Sequence, residues 1–183
     1  AKPAPAPEPA PAPAAKPSGK PGVKTIRQTI DEAWTQFNDA EMNAAVDLLS
    51  QADLLLPRQT VPVPKQDLLD LFMVRGLVNL VKGDATAAAW SAAQALVIDP
   101  KATPDPKLGP QYAKLHKSLS KAGLVTPAEV IVKGEGRAYL SGVEVTGGST
   151  VELGQGQHLL QIEKDGGWKS SVVYVSDGFV VEL

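Results

Sequence analysis

The chain contains no cysteine, which excludes disulfides, thiolate metal sites and a thiol nucleophile together. Histidine is nearly as scarce, with only two in 183 residues. Neither sign of charge dominates: 18 Lys and Arg stand against 20 Asp and Glu, for a net charge of -2. Such a chain has no basic footprint for neutralising phosphates, so nucleic acid is excluded as a partner. No apolar run approaches the roughly 18 residues a membrane span needs. The chain opens on Ala1, inside linker-like sequence, which suggests that a signal peptide or lipoprotein leader, and with the latter an N-terminal lipid anchor, preceded it.

Residues 1–22 alternate Pro and Ala and hold 8 of the 16 prolines. They have almost nothing to bury, and repeated Pro favours polyproline II, about 3.1 Å per residue or roughly 60–70 Å of reach. A spacer is expected there.

Over residues 23–123 the apolar spacing is helical. Ile26, Ile30, Ala33, Trp34 and Phe37 form one stripe, and Ala45, Leu48, Leu49, Ala52, Leu55 and Leu56 form the next, reading as two antiparallel helices. The break at Asn38 and Asp39 is expected to cap the second helix, which ends at Pro57 before an extended segment, residues 60–64. A second pair is expected over residues 67–81 and 84–98, with Gly83 as left-handed C-cap and Asp84 as N-cap. A last helix is expected over residues 109–122, with Tyr112, Leu115 and Leu119 on its apolar face. His116 is assigned to its lysine-rich, solvated side.

After Gly123 the period changes to two, with apolar positions punctuated by Gly134, Gly142, Gly147, Gly148, Gly154, Gly156, Gly166, Gly167 and Gly178. About six short strands over residues 124–183 are expected. The fold class is therefore α+β in two domains, an antiparallel helical repeat followed by a small all-β sandwich.

In the second helix pair Phe72, Gly76, Gly83, Ala88, Ala95 and Pro100 stand where tetratricopeptide repeats carry their aromatic, small and proline residues, and the pair resembles that family. The first pair keeps Ala33, Ala45, Ala52 and Pro57. The interval from Pro57 to Pro100 is 43 residues instead of the repeat's roughly 34, an excess placed in an insertion around residues 60–65. The C-terminal segment resembles the PEGA domain through residues 137–143 (RAYLSGV), 151–158 (VELGQGQH), Gly167, Trp168 and 173–178 (VYVSDG). It departs where Gly134-Glu135-Gly136 stands for the eponymous motif and Ser141 for the usual aspartate. The two resemblances imply an exported bacterial protein of the periplasm or outer envelope. They also imply a scaffold role in an assembly of secretion, pilus or motility type.

No residue pattern supports catalysis or a cofactor. Ser149, His158 and Asp165 lack a nucleophile-elbow sequence, the Gly-x-Gly pairs lack the strand-to-helix setting of a dinucleotide loop, and the carboxylates have no calcium-loop spacing. Asp31, Glu32, Asp39 and Glu41 are read as favouring helix starts, and His158 as hydrogen-bonding a neighbouring loop. Catalytic, cofactor and metal residues are accordingly expected to be none.

Binding residues remain. The concave side of a helical repeat points to Gln36, Asp70, Met73, Leu77 and Asn79 as protein-partner contacts, while Trp90, in an alanine-rich helix, either fills a gap or meets a partner. Trp34 and Phe37 read as core. An alternative uses Tyr139, Trp168 and Tyr174 as one platform for peptidoglycan or polysaccharide. Residues 67–126 carry seven Lys and Arg against five acids, and residues 127–183 four against eight; this asymmetry reads as two solvated faces, since exposed pairs contribute little.

Overall fold

The structure, a computed structural model, describes residues 24–183, so the Pro/Ala segment over residues 1–22 lies outside the described residues. The described residues form five α-helices followed by seven strands in two sheets.

Helix α1 (Ile26–Asn38) starts in a capping box. The Thr25 hydroxyl accepts from the Gln28 amide at 3.2 Å, and Gln28 Oε1 accepts from the Thr25 amide at 3.0 Å. Two expectations about charge are corrected here. Asp31 and Glu32 lie beyond the first turn, where they pair with Arg27 and Lys24. Asp39 ends α1; Ala40 then takes the left-handed conformation (φ 63), and α2 (Met42–Leu55) begins after Glu41 without a side-chain cap. Pro57 converts the end of α2 into a 3₁₀ turn, Leu56–Arg58.

Helices α3 (Lys65–Lys82) and α4 (Ala85–Ile98) join through Gly83 at φ 88 and Asp84, whose carboxylate accepts from the Ala87 amide at 2.9 Å. A second 3₁₀ turn, Pro106–Leu108, leads into α5 (Gly109–Lys121). Ala33, Ala45, Ala52, Ala92 and Ala95 are buried at the helix crossings, with Leu49, Leu68, Leu71 and Tyr112 filling the space between. Gly76 makes the closest approach possible, since a Cβ there would lie 2.7 Å from the Tyr112 ring.

In the β-module, β1 (Pro127–Lys133) lies between β4 (Thr150–Gly154), antiparallel, and β7 (Phe179–Glu182), parallel. The second sheet is wholly antiparallel, in the order β3 (Val143–Thr146), β2 (Arg137–Leu140), β5 (Gly156–Lys164), β6 (Gly167–Val175). Their inner faces share one core of Ala128, Val130, Val132, Ala138, Leu140, Val145, Leu160, Val175 and Val181. The count is seven strands, not six. The addition is β3, whose alternation amounts to Val143 and Val145 alone.

The two modules are docked, and the insertion docks them. Gln161, on the outer face of the second sheet, is fully buried. Its Oε1 accepts from the Val63 amide at 2.7 Å, while its Nε2 donates to the Val61 carbonyl and to the Ser170 hydroxyl, both at 2.9 Å. Ser170 in turn donates to the Gln59 carbonyl at 2.6 Å. Leu159, from the same face, joins the helical core. The β2–β3 turn rests on the start of α3: a Cβ at Gly142 (φ 77) would lie 2.8 Å from the Pro64 carbonyl carbon and closer still to Lys65. Among the described residues no ion pair crosses this junction. Hydrogen bonds and apolar contact hold it, whatever the charge asymmetry.

Candidate functional site

Docking leaves a groove of about 410 Å³ between the modules. The end of α2 and its 3₁₀ turn contribute Asp53, Leu56 and Pro57; α3 and α4 contribute Leu68, Phe72, Trp90 and Ile98. The β-module closes it with Ser141, Gln157, His158, Leu159 and Val172. The walls are mostly apolar, with few polar groups, at a domain junction, the usual setting of a binding site.

Trp90 forms one rim. It is 46 % exposed and meets the Phe72 ring edge-on at 6.1 Å. Beneath Phe72 lies the buried Arg75, its guanidinium 5.4 Å from the ring centroid. It donates to the Leu49 carbonyl and, at 2.9 Å, to Asp53. The cation thus fixes both the aromatic wall and the one carboxylate of the groove. Val172, 45 % exposed, forms the other rim. Tyr174, 66 % exposed, stands two residues further along β6, directly across from Gln157. Directly opposed side chains share a face, so Tyr174 extends the apolar rim outward.

At the groove floor His158 Nε2 lies 2.8 Å from the Gly154 carbonyl, which can only accept, so this nitrogen carries the proton. Nδ1 then accepts from the Ser141 hydroxyl at 2.9 Å. Burial holds the imidazole pKa below its ordinary value, against the opposing pull of the Gly154 carbonyl. A serine donating to a neutral imidazole has the outline of a nucleophile and base. Here the hydroxyl is buried, and its oxygen also accepts from the Leu159 amide at 3.4 Å. The pair pins the β2–β3 turn, where Ser141 has φ 47, to β5. Ser149 donates instead to the Thr146 carbonyl, and Asp165 sits in the β5–β6 turn, 3.8 Å from Lys169.

His116 corrects the expectation of a solvated side chain. It is 3 % exposed, packed with its ring centroid 6.2 Å from that of Tyr112, one helical turn earlier, and its Nε2 has no partner. Burial lowers its pKa. The same burial pushes the Tyr112 phenol above its usual range.

Only part of the expected concave surface comes together. Met73 and Leu77 are buried core residues, and Gln36 and Asn79 are half-buried outside both clefts. Asp70 and Met73 do line a second cleft of about 410 Å³, with Trp34, Arg27 and residues 103–108. Its charges satisfy one another: Arg27 donates to Asp67 and, at 2.7 Å, to Asp70, and Lys107 lies 5.6 Å from the Trp34 ring centroid. Trp34 stacks on Phe37 at 5.5 Å against the helical core.

The aromatic platform of the β-module divides. Tyr139 and Trp168 pack together at 5.2 Å, with the Arg137 guanidinium 5.9 Å from the Trp168 ring centroid. Tyr174 lies six residues along β6, about 20 Å away, with the docked Ser170 between them. Sequence reasoning missed Asp53, Leu56, Ile98, Leu159 and Val172 as groove residues, because the groove assembles from segments remote in sequence. The one available signal was the insertion.

Among the described residues no group of three or more His, Asp or Glu could hold a metal ion. No described helix is long and apolar enough to cross a membrane. Comparison with family models, curated proteins and solved structures found no match.

Proposed function

We propose that this protein is a non-catalytic scaffold of the bacterial cell envelope, periplasmic or outer-envelope associated, that captures an apolar segment of a partner protein in its junction groove. The observation that carries the reading is the groove itself. Its walls are mostly apolar, its rim aromatics are exposed, and the Gln161 hydrogen bonds and the Arg75–Phe72 contact hold those walls in place before any ligand arrives. The resemblance to tetratricopeptide repeats and PEGA domains supports the envelope setting and the scaffold role.

An array of apolar and Pro-rich peptides tests it. The full chain is expected to retain a subset, Trp90→Ala to lose that subset, and Tyr139→Ala to keep it. Retention unchanged by Trp90→Ala would remove the groove from the account. The Tyr139–Trp168 pair favours a second reading, in which the β-module stacks on cell-wall polysaccharide. Co-sedimentation with purified sacculi, abolished by Trp168→Ala, is its expected sign.

A further inference from the structure

We propose that β6 is a dimerisation edge, along which two copies of this chain pair antiparallel and join their four-stranded sheets into one sheet of eight strands. The inference is independent of what the junction groove binds.

The β5–β6 turn sets which way the β6 backbone points. Asp165 (φ 56) and Gly166 (φ 73) are both left-handed, as a two-residue type I′ turn requires. Lys164 and Gly167 therefore exchange hydrogen bonds, and so does every second pair along the ladder. Lys169, Ser171, Val173 and Val175 thus bond inward to β5. Trp168, Ser170, Val172 and Tyr174 turn their N–H and C=O groups outward, and among the described residues none of these groups has a backbone partner.

The other three edge strands are protected against pairing. β3, β4 and β7 have only four or five residues, and each carries a glutamate, Glu144, Glu152 and Glu182. Short length and charge are the usual protections of a sheet edge. β6 has nine residues in unbroken register, with no proline, no bulge and one charge, Lys169. Residues 170–175 (SSVVYV) are uncharged and rich in β-branched and aromatic side chains, and Val172 and Tyr174 are 45 % and 66 % exposed.

Unpaired donors and acceptors at two-residue spacing are what another strand satisfies, and β6 itself fits. Its outward residues are symmetric about Ser171. A two-fold axis there pairs Ser170 with Val172 of the second copy and Trp168 with its Tyr174, leaving no outward group unused. An axis one residue to either side leaves Tyr174 or Trp168 unpaired. Lys169 then faces Val173 of the second copy, so no like charges are opposed. Trp168, packed on Tyr139 at 5.2 Å, meets Tyr174 of the second copy on the same face. The aromatic row that is divided within one chain closes across the pair.

The test is the mass of the full chain in solution. A single strand pair is smaller than the roughly 20–30 residues a side of a standard interface, so the pairing is reversible on dilution. Sedimentation equilibrium from about 1 μM to about 1 mM, the range of weak association, is expected to show one chain's mass rising to two. Val172→Pro deletes an outward N–H and no β5–β6 bond, at a place where an edge strand accepts proline. It is expected to keep the wild-type circular dichroism and to stay at one chain's mass throughout. A monomer at every concentration, or a dimer that Val172→Pro leaves intact, would overturn the proposal. The register has its own test, which does not depend on the proline variant folding. Ser171→Cys gives this cysteine-free chain one thiol, directly opposite its copy at the two-fold axis, and is expected to oxidise to a disulfide-linked dimer. Lys169→Cys lies four residues out of step with its copy, roughly 13 Å, beyond the limit of about 7 Å for a disulfide, and is expected to remain single. Equal cross-linking of the two variants, or none in either, contradicts the pairing.

Discussion

At the residue scale the junction of the two modules depends on one buried amide, Gln161, whose oxygen and nitrogen are both partnered. Gln161 uses both ends of its amide to bridge two strands and the insertion. Gln161→Ala strands the buried Val63 amide and removes the partner of the half-buried Val61 carbonyl, and is expected to cost about 3 kcal/mol in urea unfolding. The two histidines set the pH response. Both are held below the ordinary imidazole value of 6.5 by burial, so below that pH the unfolded chain binds more protons than the folded one. Stability is therefore complete above about pH 6.5 and falls as the pH drops through the depressed folded values, by up to about 1.4 kcal/mol per pH unit for each histidine. Urea midpoints at pH 7.5 and 5.5 check this. The drop is expected to shrink when His116 is replaced by leucine, and an equal drop in that variant would be the contrary result. Asp99, where the Lys65 ammonium and the Lys101 amide together outweigh desolvation, and Asp105, held low first by the Lys107 amide, contribute further loss only near pH 4 and below.

At the element scale, helices and strand periods were legible because each depends on local signals. Gly83 and Asp84 marked the α3–α4 turn through backbone freedom and capping, and the switch from a 3.6- to a 2-residue period marked the module boundary. What local signals could not show is what faces what. His116 lies four residues from Tyr112, hence on the buried face, yet neighbouring Lys114 and Lys117 drew it toward solvent. Leu77 and Met73 look available on a repeat's inner helix until α4, α5 and the 103–108 segment cover them. The 60–65 insertion reads as a loop between helices, and only the folded chain turns it into the surface on which β5 and β6 rest. Gly142 has the same double meaning, a turn glycine by sequence and a point of contact with α3 in space. Gly142→Ala strains a left-handed turn and drives a methyl into the Pro64–Lys65 backbone. Calorimetry is expected to resolve its unfolding into two transitions where the wild type gives one; a single unshifted transition would show that the turn tolerates the methyl group.

At the scale of the whole molecule, two modules of different origin in sequence become one body with a groove between them. The sequence pointed to two separate surfaces, one on the repeat and one on the β-module, with Trp90 and Tyr174 assigned to different ligands. Docking places both beside the same apolar groove, while the charges around Asp70 are already spent on Arg27. The most direct measurement is the affinity of an array-selected peptide for Trp90→Ala and Asp70→Ala beside the wild type. Loss of an aromatic anchor at a site of this kind costs about 2 kcal/mol or more, roughly thirtyfold in Kd. The account predicts that loss for Trp90→Ala and an unchanged Kd for Asp70→Ala; weakening by Asp70→Ala alone would place the partner on the repeat's own cleft and contradict it.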